Sequence, residues 1–444
     1  MRIYYLTKHD TGERAVYTLH SPLESRNGQL FIDGVSTKDL AEKFDTPLYV
    51  ISERRIRENY KHLNEALSHN YPKTKIYYAM KANSNLAILK ILETEGANID
   101  TVSPGEVFMA LTSGFTPERM LFTGTSVRND ELKFLADSNV TVNVDSRSQL
   151  DRLLKIAVPK IISFRVNPEV GAGAHSHVIT AGKETKFGLW EQDAIKAYAA
   201  AKSAGIEKFG IHMHIGSGVL DVKPFLVAIE KLLSIAKRIH EQAGVNFEFI
   251  DVGGGIGVPY KPEDKELDLK LYSEKVLTLF KTKTKQYGLG EPYFYVEPGR
   301  FLVADSTILL TTVNTIKNTP YKKFVGVDAG FNTLVRPTMY GSYHPILVAN
   351  KLVAAEEEKC DIAGPICESG DLLAKDRRLP KIEEGDLLAV LNAGAYGFAM
   401  SSQYNDRPRA AEVLVNNARY KIVREREHFD DLINSQHAAA EWQQ

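Results

Sequence analysis

KIYYAMKANSNLAILKILETEGANIDTVS, residues 75–103, holds two short apolar runs separated by a segment with helical spacing. The runs KIYYAMKA (75–82) and NIDTVS (98–103) read as strands, and NLAILKILETEG between them carries apolar residues at helical intervals. The alternation continues through MLFTGTS (120–126), TVNVDS (141–146), KIISFRVNP (160–168), KFGIHMHIG (208–216), FEFIDVGGG (247–255) and YFYVEPGR (293–300). A long helical pattern, KPFLVAIEKLLSIAKRIHEQAG, follows the sixth run. Near-continuous apolar strands joined by helices predict a parallel sheet buried on both faces. Eight such units over about 225 residues match a closed (β/α)8 barrel better than an open doubly wound sheet.

The character changes after Arg300. STILLTTVNTIKN, KKFVGVDAG, HPILVAN, KCDIAGPICE, DLLAVLNAG and AEVLVNNARYKIVR are short apolar runs between polar breaks with hardly any helical pattern, which predicts an all-β domain. RIYYLTKH and QLFIDGV near the start have the same flavour, so the expected α/β architecture is a TIM barrel plus a C-terminal β-domain that also takes in the N-terminal strands. The expected boundaries are 1–45 for N-terminal strands, 46–300 for the barrel, 301–430 for the β-domain and 431–444 for a frayed tail, with TPLYVI and the helix SERRIRENYKHLNEAL crossing between domains.

The 444 residues are 43% hydrophobic and 25% charged, the balance of a folded protein with a large core. With 55 basic and 56 acidic residues, a net charge of -1 and no long run of one sign, neither nucleic acid nor an anionic membrane is an expected partner. The start lacks the basic-then-apolar pattern of a signal peptide and no stretch approaches 18 uninterrupted apolar residues, which predicts a cytoplasmic protein. Two cysteines, Cys360 and Cys367, are too few for a disulfide framework or a structural zinc site.

In nearly every barrel unit the chemically unusual residue stands at the C-terminal end of its strand, the face where such barrels build their sites: Lys81, Ser103, Arg165, His214, the glycines after 251, then Glu297 and Arg300. Lys81 reads either as a solvated strand cap or as an amine for Schiff-base chemistry at an apolar mouth. His212 and His214, two apart, suggest a metal pair or an imidazole stacked on a flat ligand; no third ligand stands nearby in sequence, no HExxH motif occurs, His175 and His177 read as loop residues, and no metal is expected. DVGGGIGVPY (251–260) is neither GxGxxG nor a P-loop, since Ile256, Val258 and Tyr260 stand where glycines are needed, which argues against a dinucleotide. It is either a flexible turn or, with Gly216, Ser217 and Gly218, a cradle for one phosphate. Glu297 and Arg300 of EPGR either pair with each other or face a ligand. A flat phosphorylated ligand held by Lys, stacked by His and met by a carboxylate at its ring nitrogen describes pyridoxal 5'-phosphate.

YYAMKANSN, IDTVSPGE, HMHIGSG, DVGGGIG, EPGR, GPICESGD and GAYGFAMSSQYNDRPR together resemble the diaminopimelate decarboxylases, in order from about Thr46 to RPRAAEVLV. The resemblance implies a pyridoxal-phosphate barrel with a β-domain and decarboxylation of meso-2,6-diaminopimelate to L-lysine and CO2, the last step of lysine biosynthesis. It implies that Lys81 carries the cofactor covalently, that His214 stacks on its ring and that Glu297 pairs with the ring nitrogen. Ser217, Gly254, Gly255, Gly257, the backbone of Glu297, Pro298, Gly299 and Arg300, and the phenol of Tyr396 would hold the phosphate. Arg300, Arg336, Tyr340 and Tyr396 would contact substrate, with Glu368 at its distal ammonium and Cys367 as proton donor to Cα, both arriving from the partner subunit of a homodimer. Cys360 is given no role.

Other readings compete. A decarboxylase for lysine, ornithine, arginine or carboxynorspermidine shares the fold, but has less use for arginines placed to meet a distal carboxylate and tends to carry Asp-Gly after the cysteine. A racemase would put arginine where Glu297 stands, and a non-catalytic binder needs neither Lys81 nor Cys367. The loop GAGAHSHVITAGKETKFG departs from the family's usual wording while keeping KFG.

Overall fold

The eight apolar runs between Lys75 and Arg300 form one closed parallel barrel in the computed structural model, which describes residues 7–10, 15–19, 21–171, 182 and 185–437. Strands Thr74–Ala79, Asn98–Thr101, Met120–Phe122, Thr141–Val144, Ile161–Arg165, Lys208–His212, Phe247–Asp251 and Tyr293–Val296 follow one another round it in chain order. The last closes on the first, with Phe294 opposite Thr74 and Val296 opposite Ile76. Helices such as Leu86–Thr94 and Pro104–Thr112 connect consecutive strands. Asn85 and Ser103 cap these two helices, each accepting a backbone N–H with its side-chain oxygen.

Tyr77, Leu121, Phe249 and Tyr295 pack together inside the barrel, with the Phe249 and Tyr295 rings stacked 4.4 Å apart. Gly210 leaves the room they need: a Cβ there would meet the Phe249 ring at 2.1 Å. Side chains two apart on a strand share a face, so Asp251 follows Phe249, Glu297 follows Tyr295 and His212 follows Gly210. The interior thus turns from aromatic to ionisable within one pleat repeat.

The barrel belongs to a compact unit of Ile56–Pro259 and Glu263–Ala304; the described residues up to Arg55, Tyr260–Pro262 and those from Asp305 onward form a second unit. The second unit is built on the 12-residue strand Thr307–Asn318, which pairs antiparallel with Leu48–Ser52, Lys323–Val327 and Leu387–Val390. Its alternate residues feed two apolar clusters, Leu309 and Val313 one, Ile308 and Leu310 the other. Leu48–Ser52 also pairs in parallel with Ala411–Asn416, so segments from both ends of the sequence meet in one sheet.

Three local expectations change. Leu48–Ser52, expected to open the barrel segment, is a strand of the β unit. Thr37–Phe44, within the stretch expected to hold only strands, is a helix; Ser36 caps it by accepting the Asp39 N–H at 3.2 Å. Phe429–Ile433 forms a short helix where the tail was expected to begin. His175, His177, most of the 171–188 loop, part of RIYYLTKH and residues 438–444 lie outside the described residues.

Candidate active site

Lys81 lies in the helical turn Met80–Ala82 that ends the first barrel strand. The ANSN that follows is a fixed connection: Tyr78 donates its hydroxyl to the Asn83 carbonyl at 2.8 Å, the Asn83 amide oxygen accepts the Asn85 N–H, and Asn85 caps the next helix. Lys81 Nζ stands 2.6 Å from Asp100 Oδ2, and Thr123 Oγ1 donates to Asp100 Oδ1 at 2.5 Å. Asp100 is buried; desolvation and then the Glu297 charge raise its affinity for a proton, while Lys81 and Thr123 oppose this. Glu106, whose carboxylate accepts the Val102 N–H at 2.7 Å, is pushed up to about 7 chiefly by burial.

His212 ends the sixth strand. Its Nε2 lies 3.2 Å from Glu297 Oε2 and its Nδ1 3.3 Å from Asn143 Nδ2, and all three residues are buried. Asp251 completes the group: one donor atom each from His212, Asp251 and Glu297 lies within 4.8 Å of the others. The expectation that no third ligand accompanies the histidines therefore needs correction, because barrel closure brings two carboxyl groups from neighbouring strands to His212. Ligation requires deprotonated donors, whereas burial and the adjacent Glu297 push Asp251 well up towards the protonated acid. Burial also works against ionisation of Glu297, but the His212 imidazole, followed by Lys81, outweighs it and holds that carboxyl below the usual range. The set is a hydrogen-bonded imidazole with one neutral and one ionised carboxyl.

His214 lies beyond the strand end and does not act as a pair with His212. Its Nδ1 accepts the Gly254 N–H at 3.0 Å, and burial followed by the Arg165 and Lys81 charges lowers its proton affinity, so it is a neutral ring. The glycine run folds against it: a Cβ on Gly254 would meet the Glu297 carbonyl oxygen at 2.4 Å, and one on Gly257 the backbone of Gly218 at 2.7 Å. The Gly254 and Gly257 N–H groups are used within the chain, on His214 and on the Val219 carbonyl, so as phosphate donors only the Gly255 amide is left of the three. Glu297 does not pair with Arg300; Arg300 instead donates to Ser217 Oγ through Nε and Nη2, both at 3.2 Å. Gly299 packs tightly on the Ala79 carbonyl, and the Pro298 carbonyl accepts the Ala79 N–H, tying EPGR to the first strand.

The β unit holds the remaining residues in two groups. Arg336 opens the short helix Arg336–Tyr340, which ends with Tyr340 half-buried. The Arg336 Nη1 donates to His344 Nε2 at 2.8 Å and its guanidinium lies 4.7 Å from the Tyr260 ring centre; His344 Nδ1 in turn donates to the Leu391 carbonyl. Tyr396, half-buried, has φ +58°, a left-handed backbone that costs a tyrosine about 1 kcal/mol and is characteristic of functional loops. Cys367 and Glu368 are exposed; Cys367 donates its N–H to Asn405 Oδ1 at 3.0 Å and Glu368 accepts the Tyr404 hydroxyl at 2.7 Å. The buried Asp371 carboxylate pins their loop by accepting the Phe331 and Ile366 N–H groups.

Asn143 Oδ1, Ser163 Oγ, Arg165 Nη2, Asp251 Oδ2 and Glu297 Oε1 are all buried in the barrel without a hydrogen-bond partner among the described residues. Unpaired buried polar atoms are costly and rare, and their concentration here is what a site built for a polar ligand requires. An ionised Glu297 with one free oxygen fits the protonated ring nitrogen of pyridoxal phosphate, a neutral His214 fits its flat face, and Lys81 fits its aldehyde. Asp100, Asn143, Arg165, His212 and Asp251 belong to the same pocket; their trace in the sequence is a polar residue inside an otherwise apolar strand.

Residues 53–304 match the family model for the pyridoxal-dependent decarboxylase, pyridoxal binding domain. The diaminopimelate decarboxylase of Methanothermobacter thermautotrophicus is 57% identical over 93% of this chain and 96% of its own. Among solved structures, diaminopimelate decarboxylase from M. jannaschii in complex with L-lysine superposes with a TM-score of 0.87 at 35% identity, covering 94% of this chain and 98% of that one. The Helicobacter pylori enzyme complexed with L-lysine gives 0.83 at 36% identity, covering 89% and 98%. The barrel, its polar layer and these likenesses agree: the chain belongs to the diaminopimelate decarboxylase family of pyridoxal-dependent enzymes.

Proposed function

We propose that this chain decarboxylates meso-2,6-diaminopimelate to L-lysine and CO2 as a cytoplasmic homodimer. The observation that supports the chemistry is the buried, ionised, half-paired Glu297 at the same barrel face as Lys81 and a neutral His214; the names of the close relatives support the substrate. Pyridoxal phosphate, when bound, supplies an electron sink for the pair left on Cα as CO2 departs.

The chain's own residues supply the rest. Lys81 holds the cofactor's aldehyde end, and Asp100 at 2.6 Å can take the ammonium proton on Oδ2 when the free amine is needed. Glu297 Oε1 meets the ring nitrogen and keeps it protonated. Ser217, the Gly255 amide, the backbone from Glu297 through Pro298 and Gly299 to Arg300, and Tyr396 would hold the phosphate, while Gly254 and Gly257 would contribute by having no side chain to obstruct it. Arg300, Arg336 and Tyr340 bind the carboxylate of the substrate's unreacting end and Glu368 its ammonium, an arrangement of charges that selects an amino acid bearing both groups at both ends. Cys367 delivers a proton from Sγ to one face of Cα. Its exposure, and that of Glu368, in the isolated chain suits residues that serve a partner's site. A reducing compartment keeps that thiol usable, and among the described residues no helix is long and apolar enough to cross a membrane.

Carbon dioxide release from meso-, LL- and DD-diaminopimelate, lysine, ornithine and arginine tests the reading. Release from the meso isomer is expected; release from ornithine or arginine without it would assign the chain to another substrate.

A further inference from the structure

Glu297 sits where an ionised carboxylate is hardest to keep. It is 3% exposed, and two further carboxyl groups, Asp100 and Asp251, face it from neighbouring parts of the barrel together with Lys81, Arg165 and His214. Three carboxyls in one desolvated layer cannot all be charged, so some contact must decide which keeps the negative charge. Lys81 is taken by Asp100 at 2.6 Å, and Asp251 Oδ1 is occupied by the Gly253 N–H at 2.8 Å. His212 bonds Glu297 Oε2 and is itself held at its far nitrogen by Asn143, while the Asp251 carboxyl, driven towards the neutral acid, also lies in hydrogen-bonding reach of Glu297.

We propose that His212 is a positioning residue for the cofactor's ring nitrogen: gripped at Nδ1 by the Asn143 amide, it donates Nε2–H to Glu297 Oε2, which keeps Glu297 the charged member of the layer and aims Oε1 into the site. Nδ1 faces an amide nitrogen, which only donates, so the proton resides on Nε2. The bond accounts for Oε2, and Oε1 is left buried and unpartnered, the oxygen offered to a ligand N–H. Without the imidazole, Glu297 loses its Oε2 donor and the largest influence that holds it ionised, and takes a proton; it then donates to the ring nitrogen instead of accepting from it, and the ring loses its positive charge. This rests on the reading that the barrel holds pyridoxal phosphate.

The test is 15N NMR of the full-length enzyme loaded with ring-15N pyridoxal phosphate, since the nitrogen's chemical shift reports directly whether it carries a proton. At neutral pH the wild type is expected to show a protonated nitrogen and His212→Leu a neutral one, with cofactor affinity kept within about 10-fold; His212→Gln, whose amide N–H reaches the Nε2 position, is expected to restore the protonated signal. Turnover with meso-diaminopimelate should fall roughly 10–100-fold in His212→Leu at little change in KM, the usual cost of losing a group that orients a ligand contact. A nitrogen that stays protonated in His212→Leu with cofactor bound overturns the proposal. Should His212→Leu fail to fold, Asn143→Leu keeps the imidazole but frees it; its ring nitrogen is expected to lose the proton at lower pH than in the wild type, and an unchanged titration overturns the proposal equally. A wild type that takes up no pyridoxal phosphate would instead sink the cofactor reading itself.

Discussion

His344 shows how much a site can depend on a residue that touches no substrate. It is fully buried, its Nδ1–H is committed to the Leu391 carbonyl, and its Nε2 therefore has only a lone pair to offer Arg336 at 2.8 Å. Together with the Tyr260 ring this fixes the guanidinium in place. If Arg336 grips the substrate's distal carboxylate, His344→Leu should raise KM for meso-diaminopimelate by roughly 10–100-fold while leaving kcat within a few-fold, because a hydrogen bond to a charged group holds about 1.5–3 kcal/mol. Steady-state kinetics separates the two constants; a fall in kcat at constant KM would show that Arg336 acts on the reacting end. Lys81, His214, Glu297 and Arg300 were legible in the sequence because each interrupts an apolar strand end with a group that needs a reason to be there. His344 was not, since HPILVAN reads as an ordinary strand and only the fold turns its imidazole towards Arg336. Asp100 and Asp251 were equally silent: NIDTVS contains one acid and FEFID two, and nothing along the chain says that barrel closure makes Asp100 and Asp251 face Glu297.

At the scale of elements, the helix Pro104–Thr112 begins beside Lys81's partner strand, and its Glu106 ties the strand end to the helix start by accepting the Val102 N–H. That helix end favours a negative charge, yet burial dominates and pushes the carboxyl up to about 7 from an ordinary 4.5, with the Val102 N–H and Lys81 pulling the other way. The folded chain thus binds this proton more tightly than the unfolded chain. The stabilisation is complete below about pH 4.5 and is lost as pH rises through 7, at most about 3 kcal/mol for this group. Glu106→Gln keeps a neutral acceptor for Val102 but has nothing to titrate, so the cofactor-free variant should lose less thermal stability than the cofactor-free wild type between pH 4.5 and 8. Parallel melting curves across that range would remove Glu106 from the account. Strands and helices of the barrel were readable from periodicity because buried parallel strands are apolar throughout. The helix Thr37–Phe44 escaped notice because its Ser36 cap lies in a stretch whose neighbours are short strands, so local flavour outweighed a valid capping signal.

For the molecule as a whole, the barrel followed from eight strand runs in order, and the β unit from the change of pattern after Arg300. The placement of Leu48–Ser52 did not, because TPLYVI has the same apolar composition as a barrel strand and only its pairing with Thr307–Asn318 and Ala411–Asn416 distinguishes it. The proposed homodimer rests on Cys367 and Glu368, two groups that need a desolvated substrate to act on and yet stand exposed on a loop that Asp371 holds rigid. A thiol that protonates one face of Cα works from a desolvated site rather than from bulk solvent, and the proposed dimer would place it in the partner's barrel. Chains carrying Lys81→Ala and chains carrying Cys367→Ala should each be inactive, or slower by about 10²–10⁴-fold for the cysteine variant, the range expected for a lost proton donor. Random exchange of the two makes half of all dimers mixed, and each mixed dimer has one site with both residues intact, so turnover should recover to about one quarter of the wild-type level per chain. Size-exclusion chromatography would establish that the mixed species are dimers. Recovery to that level requires sites built from two chains, whereas no recovery after demonstrated exchange would mean that each chain uses its own cysteine or none.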